Sequence, residues 1–203
     1  MANEIKRFER PLGNLSYKKL FIISTEGTNT EEQYFKQFNY YSIVQVESLH
    51  GKDGSSPAHV LKRIRKALKK FTFCDTDEAW VVVDKDSWTD EQLHELCKWA
   101  AEKRNYGFAL SNPKFEYWLL LHFEDGSGSV SLEKYIPNYD KSVSSKVFTE
   151  DRIKLAIHHA ETKDNPPCAD WPHTRGITVY RLVKNLLKAK EDAMKQFSSG
   201  SLS

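Results

Sequence analysis

The sequence predicts an α/β protein: a mainly parallel four-stranded sheet flanked by helices over residues 18–124, and a mostly helical C-terminal extension over 130–192 packed on it. Three observations carry that prediction. Apolar runs of strand length alternate with segments whose apolar residues recur at helical spacing, which is the order of parallel strands joined by crossover helices. Short polar segments such as TEGTNT and HGKDGSSP punctuate them. A single low-complexity stretch, EDGSGSVS, separates this part from the C-terminal extension.

In chain order, a polar leader over 1–17 precedes LFIIS (20–24), the first strand. TEGTNT turns the chain into a helix carrying Tyr34, Phe35 and Phe38, with Thr28 and Glu31 in the spacing of a capping box. YSIVQVESL (41–49) is the second strand. Ser56-Pro57 then opens a helix from about 57 to 71, striped by Val60, Leu61, Ile64, Ala67, Leu68 and Phe71. EAWVVV is the third strand, and Thr89 with Gln92 forms a second capping box before a helix with Leu93, Leu96, Cys97 and Ala100 inward. NYGFALS (105–111) is the fourth strand, ended by Asn112-Pro113. FEYWLLLHF (115–123) is too apolar for a surface helix and is expected to be buried on the sheet. Residues 130–190 read as helical in the main, closing with an amphipathic helix that carries Tyr180, Leu182, Val183, Leu186 and Leu187; 193–203 is expected to be a flexible tail. No internal repeat is visible.

With 203 residues, 39% hydrophobic and 29% charged, the chain can bury a full core and has no composition of disorder. The net charge of +2 hardly selects polyanions, so partners must be sought in local patches. Cys74, Cys97 and Cys168 never form a CxxC pair, which argues against a disulfide framework or zinc knuckle and for a reducing cytoplasm. No segment has secretory character or the ~20 apolar residues of a membrane span, so no membrane association is expected.

The chemistry is expected where AWVVVDKDSW (79–88) runs an apolar strand into two aspartates. Like charges so close, at the mouth of a low-dielectric core, raise each other's pKa unless a cation compensates. Ligands of open α/β sheets bind at the carboxyl ends of the strands. There the first strand offers Glu26-Gly27 and the third offers Asp84 and Asp86, so if the two strands are neighbours three carboxylates meet. Such oxygen-rich sites suit Mg²⁺ or Mn²⁺. In extended chain, Asp84 and Asp86 point the same way while Lys85 points elsewhere. An Asp-x-Asp pair alone is more often the mark of a helix cap or solvated turn; the Glu-Gly on the first strand of the same sheet reverses that balance and makes it a candidate site.

A strand ending in Glu-Gly and a later one ending in Asp-x-Asp, with two helices between, resemble the Toprim domain of topoisomerases, primases and certain nucleases. More closely, IISTEGTNTEEQYF, VVVDKD and SNPKFEYWLLLHF, with NYDKS and TVYRLVKNL near the end, resemble the RloB-like family of bacterial abortive-infection proteins, whose AbiLii-type members accompany an ATPase. The resemblance implies a Toprim-like, Rossmann-like fold and a metal-dependent nuclease. Its substrate would be DNA or RNA, tRNA included, and its setting anti-phage abortive infection with an ABC/AAA-type ATPase partner. It further implies that Glu26 serves as general acid/base or ligand, that Asp84 and Asp86 hold Mg²⁺ or Mn²⁺, and that Glu116 supports a second metal or orients a ligand.

Other features have two readings each. The helix bearing Lys62, Arg63, Arg65, Lys66, Lys69 and Lys70 contains no acid, and is either a phosphate-contacting surface or a solvated face. Glu116, inside an apolar run, needs either a salt-bridge partner or a metal. His158, His159, Cys168 and His173 fit no usual zinc spacing. Arg175 is either a phosphate clamp or a surface residue. Two competing functions are a non-catalytic Toprim-type binding or sensor subunit of an ATPase complex, and a DxD phosphatase or sugar-nucleotide transferase.

Overall fold

The computed structural model describes residues 18–27, 29–40, 44–49, 54–86, 88–128, 131–139 and 145–200, with side chains as far as 195. The expected leader, Thr28, the start of the second strand at 41–43 and parts of the HGKDGSSP, EDGSGSVS and NYDKS segments lie outside the described residues.

Four strands run parallel: β1 (Lys19–Thr25), β2 (Val44–Leu49), β3 (Glu78–Asp84) and β4 (Tyr106–Asn112). A fifth, β5 (Gly176–Ile177), joins them, giving the order β2-β1-β3-β4-β5. The sheet therefore has five strands rather than the expected four. β5 lies antiparallel to β4, and the next residue locks it there: Thr178 N–H donates to Leu110 O at 2.9 Å while Leu110 N–H donates to Thr178 Oγ1 at 2.8 Å. Two residues carry too little pattern to be read as a strand.

The central strands are covered on both faces, which explains their near-continuous apolar runs. Helices α2 (Pro57–Leu68) and α3 (Asp90–Ala101) cover one face, where Ile64, Leu93, Leu96 and Trp99 pack on Ile22, Val81 and Val83. The helices α1 (Thr30–Lys36), α4 (Phe115–Leu120), α5 (Glu150–Lys163) and α6 (Val179–Gly200) supply the other, where Tyr34, Trp118, Ile157, Leu182 and Leu186 share one cluster with Phe21, Ile23 and Val82. The alternation along β3 assigns Val81 and Val83 to the first face, and Trp80 and Val82 to the second.

Helix starts follow the sequence in one case and depart from it in another. The Thr89–Gln92 capping box is formed, with Thr89 N–H donating to Gln92 Oε1 at 3.0 Å. At α1 the N-cap is Asn29, without a side-chain bond, and the Glu31 carboxylate reaches back to Gly27 N–H at 2.9 Å. Residues 130–190 are less helical than expected. Two 3₁₀ turns (Leu132–Lys134 and Ser145–Val147) precede α5, and irregular chain from 164 to 175 precedes β5. The closing helix runs on to Gly200. Among the described residues no helix is long and apolar enough to cross a membrane.

Candidate active site

β1 and β3 are neighbours, and their register brings the two acidic turns together. Thr25 stands opposite Val82, and Glu26 N–H donates to Val82 O at 3.1 Å, so Glu26 and Asp84 leave the sheet side by side. Asp84 N–H donates to Glu26 Oε2 at 3.2 Å. Trp88, closing the AWVVVDKDSW stretch, donates its indole N–H to both Glu26 oxygens at 3.1 and 3.0 Å. By alternation Asp84 follows Trp80 and Val82 towards the face of α1 and α4. There it meets the fields of Glu31 and Glu116 and accepts a hydrogen bond from the Phe115 backbone N–H.

The electrostatics follow from that crowding. Burial, followed by the charges of Glu31, Glu26 and Glu116, pushes the Asp84 carboxyl up to about 9, and the Phe115 N–H only partly opposes this. Burial likewise raises Glu31 against the bonds it receives from backbone N–H groups, and Glu116 and Glu26 add to the rise. Burial raises Glu26 too, with Trp88 and the Asp84 N–H opposing, Asp86 adding and Arg63 opposing. Among the described residues no lysine or arginine pairs with Asp84, Glu31 or Glu116. At neutral pH the cluster relieves its repulsion by keeping a proton on Asp84.

The turn after β1 is held on several sides. Arg63 donates from Nη2 to Thr25 O and from Nη1 to Gly54 O, both at 2.7 Å. Ser24 Oγ donates to Val60 O at 3.0 Å, tying β1 to α2. A side chain at Gly27 would displace the Glu31 carboxylate, which occupies the space a Cβ would take. Lys85 points away from the carboxylates, as its position between the aspartates predicts, and donates to Trp88 O and Asp90 Oδ1 at 2.8 Å.

Of the residues singled out by the sequence, Glu26, Asp84 and Glu116 converge. Asp86 stands apart from Asp84: β3 ends at Asp84, the chain turns, and the Asp86 side chain is 52% exposed with Lys114 Nζ at 3.7 Å. Expecting both aspartates on one side required the extended chain to continue two residues further. Arg63 is turned inward, while Lys62, Lys66 and Lys69 line a groove between α2 and α3. Arg175 is exposed and stacks its guanidinium over Tyr117 at 4.3 Å, next in sequence to Glu116. His159 hydrogen-bonds Leu121 O, His173 lies 3.4 Å from Asp170, and Cys168 receives Arg181.

Two members of the site had no such reading in the sequence. Glu31 reads as part of a capping box, and Trp88 carries no reading beyond its place at the end of AWVVVDKDSW. The usable signal for Trp88 is general: a half-buried indole seeks an acceptor for its N–H, and the carboxylates are the acceptors within reach.

The donor set is chemically suited to a hard divalent cation: four carboxylates, three of them raised in pKa. Ser111 Oγ, at the register position of Asp84, is buried and has no hydrogen-bond partner among the described residues. Among the described residues no three His, Cys, Asp or Glu groups already stand close enough to hold one ion. Glu26 is turned to Trp88, and Glu31 to Gly27.

Sheet order, flanking helices and an acidic cluster at the strand carboxyl ends define the class: a mixed α/β protein, Rossmann-like in layout, with carboxylates gathered at the carboxyl edge of its parallel strands. More particularly, the chain belongs to the RloB-like protein family, whose family model matches residues 21–186. No curated protein and no solved structure matches it.

Proposed function

We propose that this protein is a Toprim-type, metal-dependent nuclease that hydrolyses phosphodiester bonds in DNA or RNA. The observation that carries the reading is the convergence of Glu26, Glu31, Asp84 and Glu116 at the carboxyl end of the parallel sheet, where among the described residues no lysine or arginine pairs with Asp84, Glu31 or Glu116. When bound, Mg²⁺ or Mn²⁺ would polarise a phosphoryl oxygen and acidify a water. Asp84, Glu31 and Glu116 would supply oxygen donors to it, with Glu26 as a further ligand or as general base and Asp86 at the exposed rim. Asp84 would have to release its proton on loading, so binding of the ion should strengthen as pH rises. Trp88 Nε1 and the Asp84 amide hold Glu26 in place, and the raised pKa of Glu26 suits it to take a proton from an attacking water.

The Glu-Gly and Asp-x-Asp strand ends support the Toprim assignment. Membership of the RloB-like family supports a role in abortive infection beside an ABC/AAA-type ATPase. The free thiols Cys74, Cys97 and Cys168 are in keeping with the cytoplasm.

The test is incubation with DNA and total RNA in Mg²⁺ or Mn²⁺, with and without a candidate ATPase. Glu26→Ala and Asp84→Ala should each lower cleavage by on the order of 100-fold or more, the scale of losing one preorganised charged group. Cleavage indifferent to both substitutions overturns the site. Cation binding by calorimetry without cleavage of any substrate would instead favour a non-catalytic sensor subunit.

A further inference from the structure

The groove between α2 and α3 is strongly basic. Lys62, Arg65, Lys66 and Lys69 line it from α2, against one carboxylate from α3, Glu95. That carboxylate is paired with Lys98 at 3.2 Å, and Arg65 is paired with Glu102 at 3.3 Å. Lys62, Lys66 and Lys69 have no acidic partner among the described residues. They recur at helical spacing, so they form one row along the exposed side of α2. The apolar floor beneath them includes Leu61 and Leu96, and no aromatic residue lines the groove.

The geometry points to this groove as the seat of a double-helical nucleic acid, held through the phosphates of one strand. The inference rests on the nuclease reading of the carboxylate site and adds where the substrate lies. Lys62 and Lys69 are seven residues apart on a helix, which is about 10 Å of rise. Successive phosphates of one strand climb ~3.4 Å of axis while winding round it, so lysines spaced along this row can, through their flexible stems, each meet one phosphate, three at most. Single-strand binders combine a basic groove with aromatic platforms for the bases, and this lining offers none. Gln92, the uncharged polar side chain of the lining, is engaged with Thr89 N–H in the capping box, so recognition is of the backbone and independent of sequence.

The row is mechanically joined to the site. One residue after Lys62, Arg63 faces the opposite way and clasps Thr25 O, immediately before Glu26. Trp88, which holds Glu26, packs against the same core cluster as Leu61 and Leu96 beneath the groove. A duplex lying along α2 thus has its ends directed along a helix whose start, Pro57, lies on the carboxylate side of the sheet.

The test measures binding apart from cleavage. Full-length protein is titrated by fluorescence anisotropy, in chelator, with a labelled duplex of mixed sequence and with its single strands, over a range of salt. Each phosphate contact contributes about −0.9 to the slope of log affinity against log salt. The triple substitution Lys62→Gln, Lys66→Gln, Lys69→Gln should therefore remove about 2.7 of the slope and weaken duplex binding about 10-fold near physiological salt. Arg104→Gln with Lys188→Gln, in a cleft at the opposite end of the strands, should leave both unchanged. Duplex binding with an unaltered slope in the triple variant overturns the inference, as do tighter binding of the single strand, strong sequence preference, or no binding at all. A protein that binds through the three lysines yet never cleaves refutes the nuclease reading alone; one whose cleavage ignores them refutes the groove alone.

Discussion

Asp84 is the residue that sets the pH behaviour of the molecule. Its carboxyl titrates near 3.8 when free and at about 9 in the fold, so between these values the native state holds a proton that the unfolded chain has released. Stability from this group is complete below the lower value and is lost as pH rises through the upper one. Glu26 and Glu31, also raised, act in the same direction. Glu150, lowered to about 2 by Lys154 and Lys190, acts in the opposite direction, but only in acid, and His122, lowered by burial to about 3, opposes Asp84 up to the free histidine value of 6.5. In chelator, the thermal midpoint should therefore fall between about pH 7 and pH 9, and Asp84→Asn should flatten that fall and raise the midpoint at about pH 8. A wild-type midpoint that climbs over this window would refute the protonated cluster. Trp88→Phe deletes the indole donor of Glu26 and leaves a half-buried carboxylate with one amide partner. The expected cost is about 1–3 kcal/mol in urea denaturation.

The element that decides the site is the turn joining β1 to α1. Glu31 can reach Gly27 N–H only because position 27 has no side chain, and an alanine Cβ would fall on the Glu31 carboxylate. Gly27→Ala should destabilise by roughly 1–3 kcal/mol through overpacking. In a Glu31→Ala background the same change should cost almost nothing, since the obstructing group is gone; a double-mutant cycle with no coupling would show that Glu31 is not the obstacle. This turn also marks the limit of what the residues announce. Thr28 and Glu31 have capping-box spacing, but local spacing cannot say that a glutamate will be pulled back past the cap by a neighbouring amide. The same limit separates Asp84 from Asp86. Alternation places both on one side while the chain is extended, and the strand stops between them, for reasons that lie in Ser111 and Pro113 at the end of the neighbouring strand: Lys85 N–H donates to Ser111 O at 2.7 Å and Asp86 N–H to Pro113 O at 3.2 Å. By contrast, the parallel strands and the two helices of the α2/α3 face are plain in the sequence, because their burial requires long apolar runs and regular stripes.

At the scale of the whole molecule, the Gly/Ser-rich break after Glu124 invites division of the chain there, whereas the core runs across it. Ile177, Val179, Leu182, Val183 and Leu186 are buried in the cluster that contains Phe21, Ile23, Val82 and Ala109 of the sheet. At about 2 kcal/mol each, these five side chains represent on the order of 10 kcal/mol of burial, comparable with the whole stability of an ordinary domain. The sheet edge adds a polar dependence, since Thr178 completes the backbone bonds of Leu110. A chain ended at Glu124 would expose an apolar face and an open strand edge together, the combination that favours aggregation. It should be insoluble or show no cooperative unfolding, and it should regain a sharp transition when residues 125–203 are co-expressed as a separate polypeptide. A soluble 1–124 fragment with a cooperative denaturant midpoint near that of the full chain would overturn this. The consequence reaches the site: α4 carries Glu116 and the Phe115 amide that contacts Asp84, and it packs in the same cluster as α5 and α6. Loosening the C-terminal helices by Leu182→Ala, a core deletion costing about 2–5 kcal/mol, should accordingly reduce the pH dependence attributed to Asp84 as well as the stability.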